Sequence, residues 1–105
     1  MPYDASRDTA RTLTPSASSP ARLLRRLTPS DTQDLAVYAK SLWAYVPATT
    51  SEATLRLTCT GAAADGETVD VVIGSGLQPL PPVQVRRVWA TGTTSGISIY
   101  ALCDR

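Results

Sequence analysis

Histidine and phenylalanine are both missing from this 105-residue chain. Without histidine it has neither the commonest general base nor the commonest metal ligand. Ser and Thr are plentiful, but a hydroxyl nucleophile needs a base beside it, so a triad of the usual kind is excluded. The two cysteines, Cys59 and Cys103, lie far apart in the chain and form no C-x-x-C half-site for zinc. Both fall at the ends of expected strands, where they serve either as a disulfide pair or as two small core hydrophobes. Charge of one sign is also lacking. Lys40 is the single lysine, and the formal net charge is +1, far from the basic face that a nucleic-acid partner requires. No apolar run approaches the roughly 20 residues of a membrane span, and no basic patch leads into an apolar stretch at the N-terminus. The expectation is a soluble protein of a reducing cytoplasm, with no cofactor, no metal, no nucleic-acid partner and no membrane insertion.

What the chain does have divides near residue 30. Residues 1–30 are rich in Ser, Thr, Pro, Ala and Arg, with Pro2, Pro15, Pro20 and Pro29 breaking any periodicity. They read as an extended N-terminal arm. Inside it, Ala21–Leu27 (ARLLRRL) is expected to make one helical turn, kept short by Pro20 and Pro29. Such a patch is either part of a solvated tail or a docking peptide. As a docking peptide, it would turn Arg22, Arg25 and Arg26 to a partner's carboxylates and seat Leu23, Leu24 and Leu27 in a groove. Pro29-Ser30-Asp31-Thr32 is a turn in which Ser30 or Asp31 can cap. It opens the folded domain, residues 31–105.

From Ala39 onward apolar residues alternate with period two, the mark of half-buried strands. Ala39–Val46 places Leu42, Ala44 and Val46 on one face and Ser41, Trp43 and Tyr45 on the other. A strand apolar on both sides is either sandwiched inside the domain or covered by a neighbouring subunit. Thr54–Thr60 turns Leu55, Leu57 and Cys59 inward and Arg56 and Thr58 outward. Ala64-Asp65-Gly66 supplies a turn, and Thr68–Ile73 returns with Val69, Val71 and Ile73 inward, completing a hairpin. Gly74–Pro82 contains three prolines and is expected to be a loop crossing between sheets. Val83–Ala90 and Gly96–Leu102 are the last strands, joined by Thr91-Gly92-Thr93-Thr94-Ser95. The fold class expected is all-β, a small antiparallel sandwich or barrel of about five to six short strands. So small a core is marginal, and subunit contacts are a common remedy.

Candidate chemistry is thin. Asp65, Glu67 and Asp70 are close in sequence, but their place in a hairpin reads as a solvated turn rather than an acid-base pair. The glycines at 74, 76, 92 and 96 open no helix and precede no Lys-Ser/Thr, which argues against a phosphate-binding loop. Arg86 and Arg87, beside Trp89, are expected on opposite faces of a strand. The three are expected either at a rim or interface, where Arg and Trp are enriched, or simply exposed on the surface.

Val85–Leu102, VRRVWATGTTSGISIYAL, resembles the C-terminal signature of the head-spike base proteins of gene transfer agents, a family of phage-like structural proteins. Val85, Arg87, Val88, Ala90, Thr91, Gly92, Thr93 and Thr94 fit its penultimate strand and turn, and Ile99, Ala101 and Leu102 its last strand. The ATGTT turn is the specific part. A weaker match runs from Thr28-Pro29-Ser30-Asp31 through Asp34-Leu35 into Ser41-Leu42-Trp43. The chain departs from the pattern at Pro47–Ala53, in place of a glycine-rich turn, and at the ending Cys103-Asp104-Arg105. The resemblance implies a homo-oligomer, a pentamer at a fivefold vertex, assembled in the bacterial cytoplasm. Its partners would be the major capsid protein on one side and a spike fibre protein on the other, with residues 1–30 docking on the capsid. Other roles compatible with the same residues are capsid decoration, a tail-fibre adaptor, or a carbohydrate-binding module stacking sugars on Trp43, Tyr45, Trp89 and Tyr100.

Overall fold

A computed structural model describes residues 2–8, 20–80 and 83–105. Among them are seven strands: β1 (Leu23–Leu27), β2 (Ser41–Val46), β3 (Glu52–Cys59), β4 (Val69–Gly74), β5 (Gly76–Pro79), β6 (Val85–Val88) and β7 (Ser98–Cys103). A single 3-10 turn, Ala5–Arg7, is capped by the Asp4 side chain. Two antiparallel sheets result, one in the order β1-β7-β2-β5 and the other β4-β3-β6. The all-β class is as the alternation indicates.

The sheets pack face to face. Leu42 and Ala44 of β2 and Ile99, Ala101 and Cys103 of β7 meet Leu55 and Leu57 of β3 and Val85 and Val88 of β6 in one buried cluster. Val71, Ile73, Leu27, Leu35 and Val37 close its margins. Both cysteines are free thiols, Cys103 buried and Cys59 half-buried; burial pushes the Cys103 thiol up from its ordinary value.

Two strands lie where none was expected, and both are sheet edges. Ala21–Leu27 is no helical turn: Leu23–Leu27 pairs antiparallel with β7, Leu23 opposite Cys103 and Leu27 opposite Ile99. Between Pro20 and Pro29 there is no room for a helix long enough to repay its nucleation, whereas an edge strand gains a ladder at once. The four-stranded sheet thus draws on the stretch before residue 30. The expected loop at 74–82 also contains a strand, β5, which pairs with β2. Leu80 N–H donates to Leu42 O at 3.0 Å. Alternation then places Pro79 where a backbone nitrogen faces away from β2, so no ladder bond is lost. The chain passes from β4 to β5, and so from sheet to sheet, over Ser75 alone, with Gly76 at φ 99° taking the sharp turn.

Two inward assignments also change. Val69 faces the core side opposite Leu57 but lies at the open end of β4 and is exposed. In β3, Thr58 is buried and Cys59 only half-buried, because the pairing with β6 slips between these two residues.

Candidate interaction surfaces

The outer faces of the two sheets differ in kind. On the three-stranded sheet the outward groups other than Val72 are polar, and several are satisfied within the chain. Arg56 of β3 donates from Nε to Asp70 of β4 at 2.9 Å, and that guanidinium holds the Asp70 carboxyl below its usual range. Thr58, fully buried, donates to Asp65 O at 3.0 Å and accepts from Trp89 Nε1–H at 2.8 Å. The Arg87 guanidinium lies 5.1 Å from the Trp89 ring centroid, within cation–π range.

Arg86 and Arg87 do not part to opposite faces; both reach the same two carboxylates. Arg86 Nη1 lies 3.1 Å from Asp34 and 2.7 Å from Asp65. Arg87 Nε lies 2.8 Å from Asp34, and its Nη2 is 3.7 Å from Asp65. Arginine's length permits this, since the head group travels far from its Cβ. Burial raises the Asp34 pKa, but the hydrogen bonds and charges of Arg87 and Arg86 outweigh it and leave the carboxyl below its usual range. Asp65, in the exposed turn, and Asp70 of β4 are therefore solvent-exposed ion-pair partners. The expected interface trio of Arg86, Arg87 and Trp89 is engaged inside its own chain.

The ATGTT turn has a structural task as well. After β6 ends, Thr93 and Thr94 hydroxyls accept from the backbone N–H groups of Arg56 and Thr54, each at 3.0 Å. Thr94 N–H donates back to Thr54 O at 2.8 Å. Side-chain oxygens so continue the ladder along β3 that β6 abandons. Gly92 at φ 97° makes the turn, and a Cβ there would stand 2.5 Å from Arg56 Cζ. Thr91 donates from its hydroxyl to Asp31 at 2.6 Å and its N–H to the other oxygen of that carboxylate at 2.8 Å. These bonds lower the Asp31 pKa, the hydroxyl contributing most. Ser30 caps the turn that follows it, its hydroxyl accepting from Thr32 and Gln33 N–H at 3.2 Å.

The outer face of the four-stranded sheet has a different character. Paired residues share a face, so Trp43 stands between Tyr100 and Pro79, Tyr45 between Ser98 and Leu77, and Leu24 beside Leu102. Leu24, Trp43, Tyr45 and Leu77 are between 37% and 55% exposed. Arg26, opposite Tyr100, donates to the Ser98 hydroxyl at 3.3 Å. Leu23, Arg25 and Leu27 alternate to the inner side of β1, where Leu27 joins the core. Arg22 pairs with Asp8, tying the N-terminal turn to the start of β1. The expected cluster of Arg22, Leu23, Leu24, Arg25, Arg26 and Leu27 is thus split between two faces of a strand. Trp43 and Tyr45 keep the outward place that alternation gives them.

Leu77 belongs to this face and was hidden by the prolines around it. Val72 of β4 is 60% exposed on the opposite side of the sandwich, and because Val71 and Ile73 on either side of it face inward, the run VVI carries no polar residue to mark its outward position.

Among the described residues there is no group of three or more His, Cys, Asp or Glu able to hold a metal. No helix there is long and apolar enough to cross a membrane. An open cleft of about 730 Å³ carries Asp34, Lys40, Asp104 and Arg105. Within it Lys40 is 3.2 Å from Asp104 and Asp34 is held by the two arginines.

No protein-family model matches the chain, and no curated protein does. Among solved structures, a chain from the capsid of a native gene transfer agent (GTA) particle, computed with C5 symmetry, aligns with 30% identity and a TM-score of 0.67. The alignment covers 90% of this chain and 96% of that one. At this identity over nearly the whole of the other chain, the protein belongs to the same family as that component of the GTA capsid structure.

Proposed function

We propose that this protein is a non-catalytic structural component of a GTA-like particle, the ring-forming base that joins a head spike to the capsid at a fivefold vertex. The observation that carries the reading is the 30% identity over 96% of a chain in a native GTA capsid computed with C5 symmetry. The ATGTT signature, here the turn that finishes the β3 ladder, supports the head-spike base assignment within that setting.

Physical features favour such a role. The core is small, and one sheet turns an aromatic face outward with no covering element among the described residues. Closing copies into a ring buries surface of that kind and removes exposed edges. The partners in this reading are further copies of the chain, five to a ring, the major capsid protein and a spike fibre protein. Residues ahead of β1 serve as the capsid-docking arm, and multiple arms acting together convert weak contacts into firm attachment. Assembly takes place in the bacterial cytoplasm, and the finished ring sits on the outer capsid surface.

Imaging tests the assignment directly. Particles from cells expressing the full chain with a small C-terminal label should show the label at capsid vertices, below the spike density. Label spread over all capsomers would indicate a decoration protein, and label on the tail an adaptor; either overturns the vertex role.

A further inference from the structure

We infer that copies of this chain join head to tail, the aromatic face of the four-stranded sheet in one copy packing on the β4 flank of the next. The inference rests on the ring reading above and names the contact that builds the ring.

A rotationally closed ring of more than two copies needs two different patches on each chain, because a patch that meets its own copy closes as a dimer. This chain has two. The first is the outer face of the four-stranded sheet, with Trp43, Tyr45, Leu24 and Leu77 exposed. The second is β4, where Val72 is 60% exposed on the outer face and Val69, on the core side, is 54% exposed at the strand's open end. Val72 lies on the outer face of the three-stranded sheet, opposite Thr54. The outer faces of two packed sheets look away from each other, so the patches occupy opposite sides of the molecule, as a head-to-tail contact requires.

Size agrees. At about 200 Å² for a fully exposed large side chain, the four residues of the first patch present on the order of 400 Å² of apolar surface. That lies within the roughly 300–600 Å² of the largest patch on a typical monomer, a patch that is often functional. It is also close to the apolar share of the roughly 800 Å² that each partner contributes to a stable interface. Aromatic residues dominate the patch, the types on which binding energy concentrates.

The β4 flank is also unprotected. It is the edge of its sheet and contains neither Pro nor Lys, the residues that usually discourage edge contacts. The corresponding edge of the other sheet, β5, ends in Pro79. The polar remainder of the three-stranded face is already paired in Arg56–Asp70, which leaves Val72 as the outward apolar group of that region.

Native mass spectrometry on the full chain tests this with Tyr45→Glu, Val72→Glu and their equimolar mixture. The wild type should form rings and each variant alone should be monomeric. The mixture should give heterodimers and nothing larger, since each variant retains one working patch and the two are complementary. Assembly that survives Val72→Glu but not Tyr45→Glu would mean face meets face, and the head-to-tail contact falls. Rings that persist in both variants overturn the contact alone, while a wild type that never assembles overturns the ring reading and the contact with it. Should either Glu variant melt early, Tyr45→Ser and Val72→Ser replace it, with a tenfold or greater weakening of assembly expected. A second readout is quenching by acrylamide in a Trp89→Phe background, where Trp43 is the remaining tryptophan. Its emission should be shielded in the ring. If Trp43 stays open to quencher in assembled rings, the face belongs to another occupant such as a glycan or the fibre, and the proposal is overturned.

Discussion

Asp34 accepts a hydrogen bond from Arg87 Nε at 2.8 Å across 53 positions of sequence. With Arg86 on its other oxygen at 3.1 Å, this one carboxylate pins the segment between β1 and β2 to strand β6. Leu35 N–H donates to Arg86 O and Ala39 N–H to Val85 O beside it, so that segment covers the β6 edge.

Substituting Asp34→Ala should therefore destabilise more than Asp65→Ala. Both remove a carboxylate from the same arginines, but Asp65 is the more exposed partner. Leaving two largely buried guanidinium groups short of acceptors is the costly step. Thermal unfolding of the two single variants and the double variant measures it. A double variant that loses the sum of the singles, neither more nor less, would show that the two carboxylates act independently rather than as one cluster.

Acid should unfold the domain from this cluster outward. Asp31, Asp34 and Asp70 all have folded-state pKa values lowered from the ordinary one. For groups depressed in the folded state, the linked stability is fully present above the unfolded carboxylate pKa of about 3.9 and drains away as pH falls through the lower folded values. Melting temperature should be flat with respect to these groups from neutral pH down to about 5 and fall below about 4. In Asp34→Asn the acid slope should be shallower.

Gly92→Ala is expected to cost about 1–2 kcal/mol, the penalty for an L-residue in left-handed backbone. The added Cβ also has to displace the Arg56 head group. Gly66→Ala, in a turn where φ is not positive and nothing lies within 4 Å of the new Cβ, should leave stability within a few tenths of a kcal/mol. Chemical denaturation of the pair separates backbone strain from a general intolerance of substitution in turns.

Legibility of the fold followed the strength of the alternation. β2, β3 and β7 alternate cleanly, and Leu42, Ala44, Leu55, Leu57, Ile99 and Ala101 lie in the core where that pattern puts them. β1 reads LLRRL and has no period-two pattern, because as an edge strand it buries only Leu27 and needs no polar alternate. β5 is masked by Pro79, whose harm depends on which side of the strand its nitrogen faces, and that is settled by the register with β2 rather than by local sequence. The Asp34–Arg86–Arg87–Asp65 cluster joins residues from three separate segments, which no spacing rule links. The outward place of Trp43 and Tyr45 was readable from β2 alone, whereas Leu77 and Val72 became visible only once the sheets were assembled.

Two N-terminal truncations separate the arm from the strand that follows it. Removing residues 2–20 leaves β1 and its pairing with β7 in place, at the loss of the Arg22–Asp8 ion pair, which is partly exposed and worth little. Removing residues 2–30 strips β1 from the sheet, uncovers the β7 edge and takes Leu27 from the core margin. The shorter deletion should melt close to the full chain and still assemble, but should no longer bind purified capsids in a sedimentation assay. The longer one should melt well below it and aggregate, since an uncovered strand edge invites pairing with other chains. If rings lacking residues 2–20 still co-sediment with capsids, the docking function lies in the β-domain, and the residues ahead of β1 are not the attachment arm.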